Sequence, residues 1–211
     1  MEKRKPLLIT FEGGEGSGKS EQVKLFYPWF KEVYDPLAIN AREPGGILVA
    51  EEIRKLLLDS KYKDSMSDRT ELFLFGAARS SFYNYLVIPA LFRSESVVLD
   101  RSRDSTTAYQ GYGRGLDINI INKVNDCATY GIYPDITFVI NIDPVIGLKN
   151  AIKRGKMNRI DLEKIEFHKK VNNGYLEIAK LNPERCKVIE YEEGIENVQL
   201  KIREEFLKKY L

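Results

Sequence analysis

Only two cysteines, Cys127 and Cys186, occur in 211 residues. That supply excludes a disulfide framework, and two thiols so far apart in sequence read as reduced, which points to a cytoplasmic protein. Long apolar runs are absent too. None approaches the ~18 residues of a membrane-spanning helix. The charged opening, Met1 to Lys5, lacks the apolar core and small-residue cleavage site of a signal peptide. No excess of one charge exists: 33 basic and 31 acidic residues leave +2, so overall charge makes no case for nucleic acid or membrane as a partner. The single histidine, His168, lies in a charged helical pattern with no ligand spacing around it and reads as a surface residue. Repeats and low-complexity tracts are also missing.

What remains is an alternation of short apolar runs and longer helical patterns. Strands are expected at Leu7–Phe11, Leu37–Ala41, Ser96–Leu99, Ile136–Ile142 and Val188–Glu190. Helices are expected at Lys19–Tyr27, Ile47–Leu58, Asp68–Phe92, Asp117–Tyr130, Val145–Lys153, Leu162–Leu181 and Ile195–Tyr210. Apolar strands separated by helices indicate a parallel sheet covered on both faces, with ligands beyond the carboxyl ends of its strands. Pro28 should end or kink the first helix and Pro89 the third.

Gly13-Gly14-Glu15-Gly16-Ser17-Gly18-Lys19-Ser20 fits G-x-x-x-x-G-K-[ST] between a strand and a helix. Glycines let the backbone curl so that N–H groups converge on phosphates, and the helix start adds partial positive charge. Lys19 is placed to follow the β- and γ-phosphates of ATP, and the Ser20 hydroxyl to ligate Mg²⁺. Asn122-Lys123-Val124-Asn125 approaches a guanine-reading motif but has Asn where the carboxylate belongs, and reads as coincidence.

Further segments follow in order: Phe11-Glu12-Gly13, Arg42-Glu43-Pro44-Gly45-Gly46, Phe75-Gly76-Ala77-Ala78-Arg79, Asp100-Arg101, and Ser105-Thr106-Thr107-Ala108-Tyr109-Gln110-Gly111. In their order and spacing, from about residue 7 to residue 180, they resemble thymidylate kinase. The resemblance implies an α/β fold: a three-layer P-loop NTPase domain over residues 1–211, with a five-stranded parallel sheet and a short helical lid at about 153–161. It implies transfer of the γ-phosphate of ATP to dTMP, with Mg²⁺, in a homodimer.

The resemblance also assigns roles. Arg101 and Arg42 are guanidinium forks suited to the acceptor phosphate, though either could be an ordinary ion pair. Asp100 would hold Mg²⁺ through water, or merely cap a turn. Phe75 would stack on thymine, unless it is core, and Arg79 would bond its O4. Ser105, Thr106 and Gln110 fall where the family reads the pyrimidine nucleotide. Tyr109 would crowd the 2′ position of the sugar, and Glu15 would lie near the acceptor. Gly16 fills a slot where some members carry an arginine, so the lid residues Arg154 and Arg159, with Lys156 third, should supply catalytic charge.

The chain departs from the family at Ser102, at Glu21, and at Asn158-Arg159-Ile160-Asp161. Asp100-Arg101-Ser102 resembles the deoxynucleoside kinases instead, which leaves a kinase for a neutral nucleoside as the nearest rival. A nucleotide-gated binding module without turnover is the other.

Overall fold

The computed structural model describes residues 4–153, 155 and 157–211. Five strands, β1 (Leu8–Gly13), β2 (Ile39–Arg42), β3 (Val97–Asp100), β4 (Ile136–Asn141) and β5 (Cys186–Glu190), form one sheet in the order β2-β3-β1-β4-β5. Every pairing is parallel. β1 is central, with Ile9 opposite Val98 on one side and Ile136 on the other. All six of its residues are buried, as its unbroken apolar run requires.

Helices α1 (Lys19–Val33) and α9 (Ile195–Tyr210) cover one face. There Ile9 and Phe11 meet Phe26, Phe30, Phe138 and Phe206, with ring centroids such as Phe11–Phe26 at 5.3 Å. Pro28 does not end α1, which continues to Val33. The aromatic packing of Phe26, Trp29 and Phe30 on Phe206 holds the helix across the missing hydrogen bond.

The other face carries α2 (Leu48–Leu58), α3 (Asp68–Phe82), α6 (Ile118–Thr129) and α8 (Ile165–Leu181). The single helix expected to Phe92 is not continuous. A π-helical stretch, Tyr83–Val87, joins α3 to the short α4 (Ile88–Phe92), and Pro89 sits in the first turn of α4, where its lack of an N–H does no harm. A second π-helical stretch, Thr107–Gly113, follows the short α5 (Arg103–Thr106). Both are invisible to a 3.6-residue period.

α7 (Pro144–Lys153) opens on Asp143, whose carboxylate accepts from the N–H of Val145 at 2.7 Å. Between α7 and α8 the described residues form turns and bends rather than helix, and two positions of the expected helical lid, 154 and 156, lie outside the described residues. Among the described residues no helix is long and apolar enough to cross a membrane.

Candidate active site

β1 ends at the sheet's switch point, between β3 and β4, and the phosphate loop crosses there. Gly13, Gly16 and Gly18 take positive φ, which favours glycine. Gly16 has φ +66°, and a Cβ there would lie 1.9 Å from the carbonyl of Gly147 on α7. No side chain fits at position 16, so an arginine there is excluded.

Lys19, 6% exposed, opens α1. Its ammonium donates to Gly14 O at 2.7 Å and Ser17 Oγ at 3.2 Å. Burial, helped by the nearby Arg101, pulls its pKa down to about 8. Phosphates need the ammonium form. In the free protein that form predominates below pH 8, is half populated near pH 8 and is lost above it, while bound ATP pulls the pKa back up. ATP affinity is therefore expected to be flat below pH 7.5 and to weaken progressively above pH 8, as a titration calorimetry series would show.

Ser20 Oγ donates to Asp100 in a short hydrogen bond at the end of β3. A hydroxyl and a carboxylate are hard oxygen donors of the kind Mg²⁺ takes. Among the described residues no three His, Cys, Asp or Glu cluster as a metal cage, so phosphate and water oxygens would have to complete the shell.

Arg101 follows in a left-handed conformation, φ +70°. Its guanidinium is a hub. Nη1 donates to Gly13 O, Ser105 Oγ and Tyr175 Oη, and Nη2 to Glu15 Oε1 at 2.8 Å and Tyr109 Oη at 3.2 Å. Tyr109 also donates to Glu15 at 2.8 Å. Below this hub Glu12, fully buried on β1, accepts from Ser102 N, Ser105 Oγ and Tyr175 Oη. Burial, with Asp104 nearby, pushes the Glu12 carboxyl up to about 7.

One cavity of about 570 Å³ joins these groups. It is walled by the phosphate loop, Arg42, Arg54, Phe75, Arg79, Asp100, Arg101, Ser105, Thr106, Tyr109 and Gln110, and at the far end by Tyr191, Glu192, Gly194 and Ile195. The sequence-predicted residues of the loop from Glu15 to Ser20 and of the acceptor side thus meet on one space, while Gly13, Gly14 and Arg159 do not line it. Phe75 is half-buried on its wall, one turn of α3 from Arg79. Arg79 is 2% exposed and held from four sides, by Glu43 Oε2 at 2.7 Å, Thr106 Oγ1 at 2.8 Å, Asn125 Oδ1 at 2.7 Å and Ser102 O at 3.0 Å. Arg42 is at the rim, exposed, with Nη2 on both oxygens of Glu51.

Arg159 stands elsewhere than the catalytic expectation put it. It is 2% exposed, its Nη2 pairs with Glu71, and its Nε donates to Leu57 O at 2.8 Å. A buried carboxylate needs a cation, and Arg159 satisfies Glu71 rather than facing the cavity. Its neighbours Asn158 and Ile160 do line the cavity. Arg154 and Lys156 lie outside the described residues. His168 is buried at 5%, not on the surface, and its pKa is lowered, mainly by that burial. Ser102 is fully buried too. Its hydroxyl hydrogen-bonds Glu43 and Tyr83, both at 3.0 Å, so Tyr83 occupies the space that a larger residue at 102 would need.

Several contributors were not found from sequence. Asn125, set aside as part of a chance motif, is fully buried and grips Arg79. Glu12, Glu43 and Tyr175 hold the arginines from below. Arg54 lines the cavity with Nη1 on Pro44 O at 2.9 Å. Only its place on α2, facing back toward the R-E-P-G-G turn, could have flagged it.

Comparison with known proteins agrees. The family model for thymidylate kinase matches residues 11–202. The thymidylate kinase of Kosmotoga olearia is 39% identical over 201 residues, covering 95% of each chain. That of Geotalea uraniireducens is 40% identical over 200 residues, covering 92% of this chain and 93% of the other. The crystal structure of thymidylate kinase from Ehrlichia chaffeensis superposes with a TM-score of 0.79 at 34% identity, over 97% of this chain and all of that one. Strand order, phosphate loop and arginine hub therefore coincide with similarity along nearly the whole length, and the chain belongs to the thymidylate kinase family.

Proposed function

We propose that the shared cavity is where this kinase brings its two substrates together. The chain transfers the γ-phosphate of ATP to dTMP, giving dTDP. The observation that supports the site assignment is the pairing of Lys19 and Arg101 across one cavity whose far walls differ in character. On one side Phe75, Arg79, Thr106, Tyr109 and Gln110 offer a flat ring and fixed polar groups for a base and sugar. On the other, Gly194 and Ile195 adjoin the loop that takes the triphosphate.

Phosphoryl transfer needs alignment and positive charge more than covalent help. Lys19 follows the γ-phosphate. Arg101, already anchored by Glu15 and Tyr109, holds the acceptor phosphate with Arg42 and Arg54 at the rim. Mg²⁺, bound with ATP at Ser20 and Asp100, would neutralise the phosphate oxygens. With position 16 closed and Arg159 committed to Glu71, the lid charge for the transferring group falls to Arg154, with Lys156 next.

We also assign the chain to the cytoplasm and to a homodimer. Both cysteines are free, which suits a reducing compartment. Phe73 on α3 is 59% exposed and Phe92 on α4 is 91% exposed, apolar surface of the sort a second copy would cover. A monomeric mass at micromolar concentration would argue against the dimer.

The acceptor assignment is tested by ADP release from ATP and Mg²⁺ across a panel of nucleosides and monophosphates. Turnover is expected with dTMP and not with thymidine. A preference for thymidine would restore the nucleoside-kinase reading, and no acceptor-dependent turnover would restore the binding module.

A further inference from the structure

Glu71 belongs to none of the sequence motifs and does not line the cavity, yet it is a carboxylate only 1% exposed. It lies on α3 one turn before Phe75. Its Oε1 accepts from Gln110 Nε2 at 2.7 Å and Arg114 Nε at 3.2 Å, and its Oε2 from Arg114 Nη2 at 3.1 Å and from Arg159. We propose that Glu71 is a specificity-determining positioning residue: it fixes the Gln110 amide with its oxygen toward the acceptor base, and through Arg159 it ties the lid flank to the same wall. The proposal rests on the reading that Gln110 faces the base.

The chemistry follows from what a carboxylate can do. It accepts and never donates, so the Gln110 amide must present its NH₂ to Glu71. Oε1 is then the remaining polar atom, with no hydrogen-bond partner among the described residues, on a side chain that lines the cavity. An acceptor there suits a pyrimidine whose N3 carries a hydrogen, as in thymine and uracil. Cytosine has an unprotonated N3, and two acceptors would face each other. The discrimination is thus set one residue behind the wall. The same carboxylate neutralises Arg159, which also donates to the carbonyl of Leu57 in the last turn of α2. Asn158 and Ile160 are carried to the cavity wall by that anchor.

A merely structural role makes a different prediction from an orienting one. Arg114 shares Glu71 but its side chain hydrogen-bonds neither Gln110 nor Arg159; it pairs with Glu163 at 2.7 Å and lies over the Phe167 ring. The experiment compares kcat/KM for dTMP against dCMP in wild type, Glu71→Gln, Gln110→Ala and Arg114→Gln. Glu71→Gln gives residue 71 an amide that can meet Gln110 in either orientation, so the dTMP/dCMP ratio is expected to fall roughly tenfold or more. Gln110→Ala should lose a similar factor. Arg114→Gln should lower the unfolding midpoint while keeping the ratio within about threefold. If Gln110→Ala loses discrimination and Glu71→Gln keeps it, Glu71 orients nothing and the base-facing reading of Gln110 stands alone. If Gln110→Ala keeps it, that reading and the proposal fall together. An equal loss in Arg114→Gln would reduce Glu71 to a structural ion. A measurement on the wild-type chain covers the case of a misfolded variant. The Gln110 side-chain NH₂ signals should be protected from solvent exchange without nucleotide and unmoved by dTMP; free exchange would overturn the proposal.

Discussion

Lys19→Ala is expected to lower kcat at least 100-fold with Mg-ATP and dTMP. The ammonium is 6% exposed and already turned into the loop by Gly14 O and Ser17 Oγ. It therefore meets a phosphate chain without reorganising, and its charge acts in a site with little water to screen it. Alanine leaves the loop backbone free to bind β-phosphate, so the loss should fall on the transfer step more than on ATP affinity. Lys19→Met, which keeps the stem and removes the charge, should be nearly as impaired. Steady-state constants at saturating ATP decide it, and activity within threefold of wild type would remove the phosphate-loop assignment.

Arg101→Ala should be as damaging by a different route. Its guanidinium joins the loop carbonyl of Gly13, the hydroxyls of Ser105, Tyr109 and Tyr175, and Glu15. Removing it takes one guanidinium from the Glu15–Tyr109 pair and takes the fork from the acceptor phosphate in the ground state as well as in transfer. KM for dTMP is expected to rise roughly tenfold or more, and kcat to fall on the order of 100-fold. Arg101→Lys should recover little, because a point charge cannot span these partners. A variant with normal KM and reduced kcat would place Arg101 on the transferring group alone.

The sheet was legible because β1, β3 and β4 are nearly continuous apolar runs and the phosphate loop fixes which strand comes first. The motif residues were legible as a set, since their order along the chain matches the order in which strand ends reach the cavity. What sequence could not show is depth. Arg159 looks like any lid arginine until Glu71, 88 positions away, is seen beneath it. Asn125 looked accidental because its partner, Arg79, approaches from another helix. His168 sits among lysines and glutamates in sequence, yet its side of α8 faces inward with Phe167 and Val171. The two π-helical stretches leave no mark on a hydrophobic period, although one of them carries Tyr109 and Gln110 into the site.

The central place of β1 has a consequence for how the chain is made. Its first neighbour, β3, begins at Val97 and its second, β4, at Ile136. During synthesis the segment Leu8–Gly13 must wait, unpaired on both edges, until β3 has emerged by Asp100, and its other edge stays open until β4 has emerged by Asn141, well past the middle of the chain. Only when β4 docks does the sheet acquire its middle, and with it the floor beneath the phosphate loop. The N-terminal half therefore carries the phosphate loop before the whole of the sheet beneath it is in place. Such late, long-range closure favours a slow and cooperative final step.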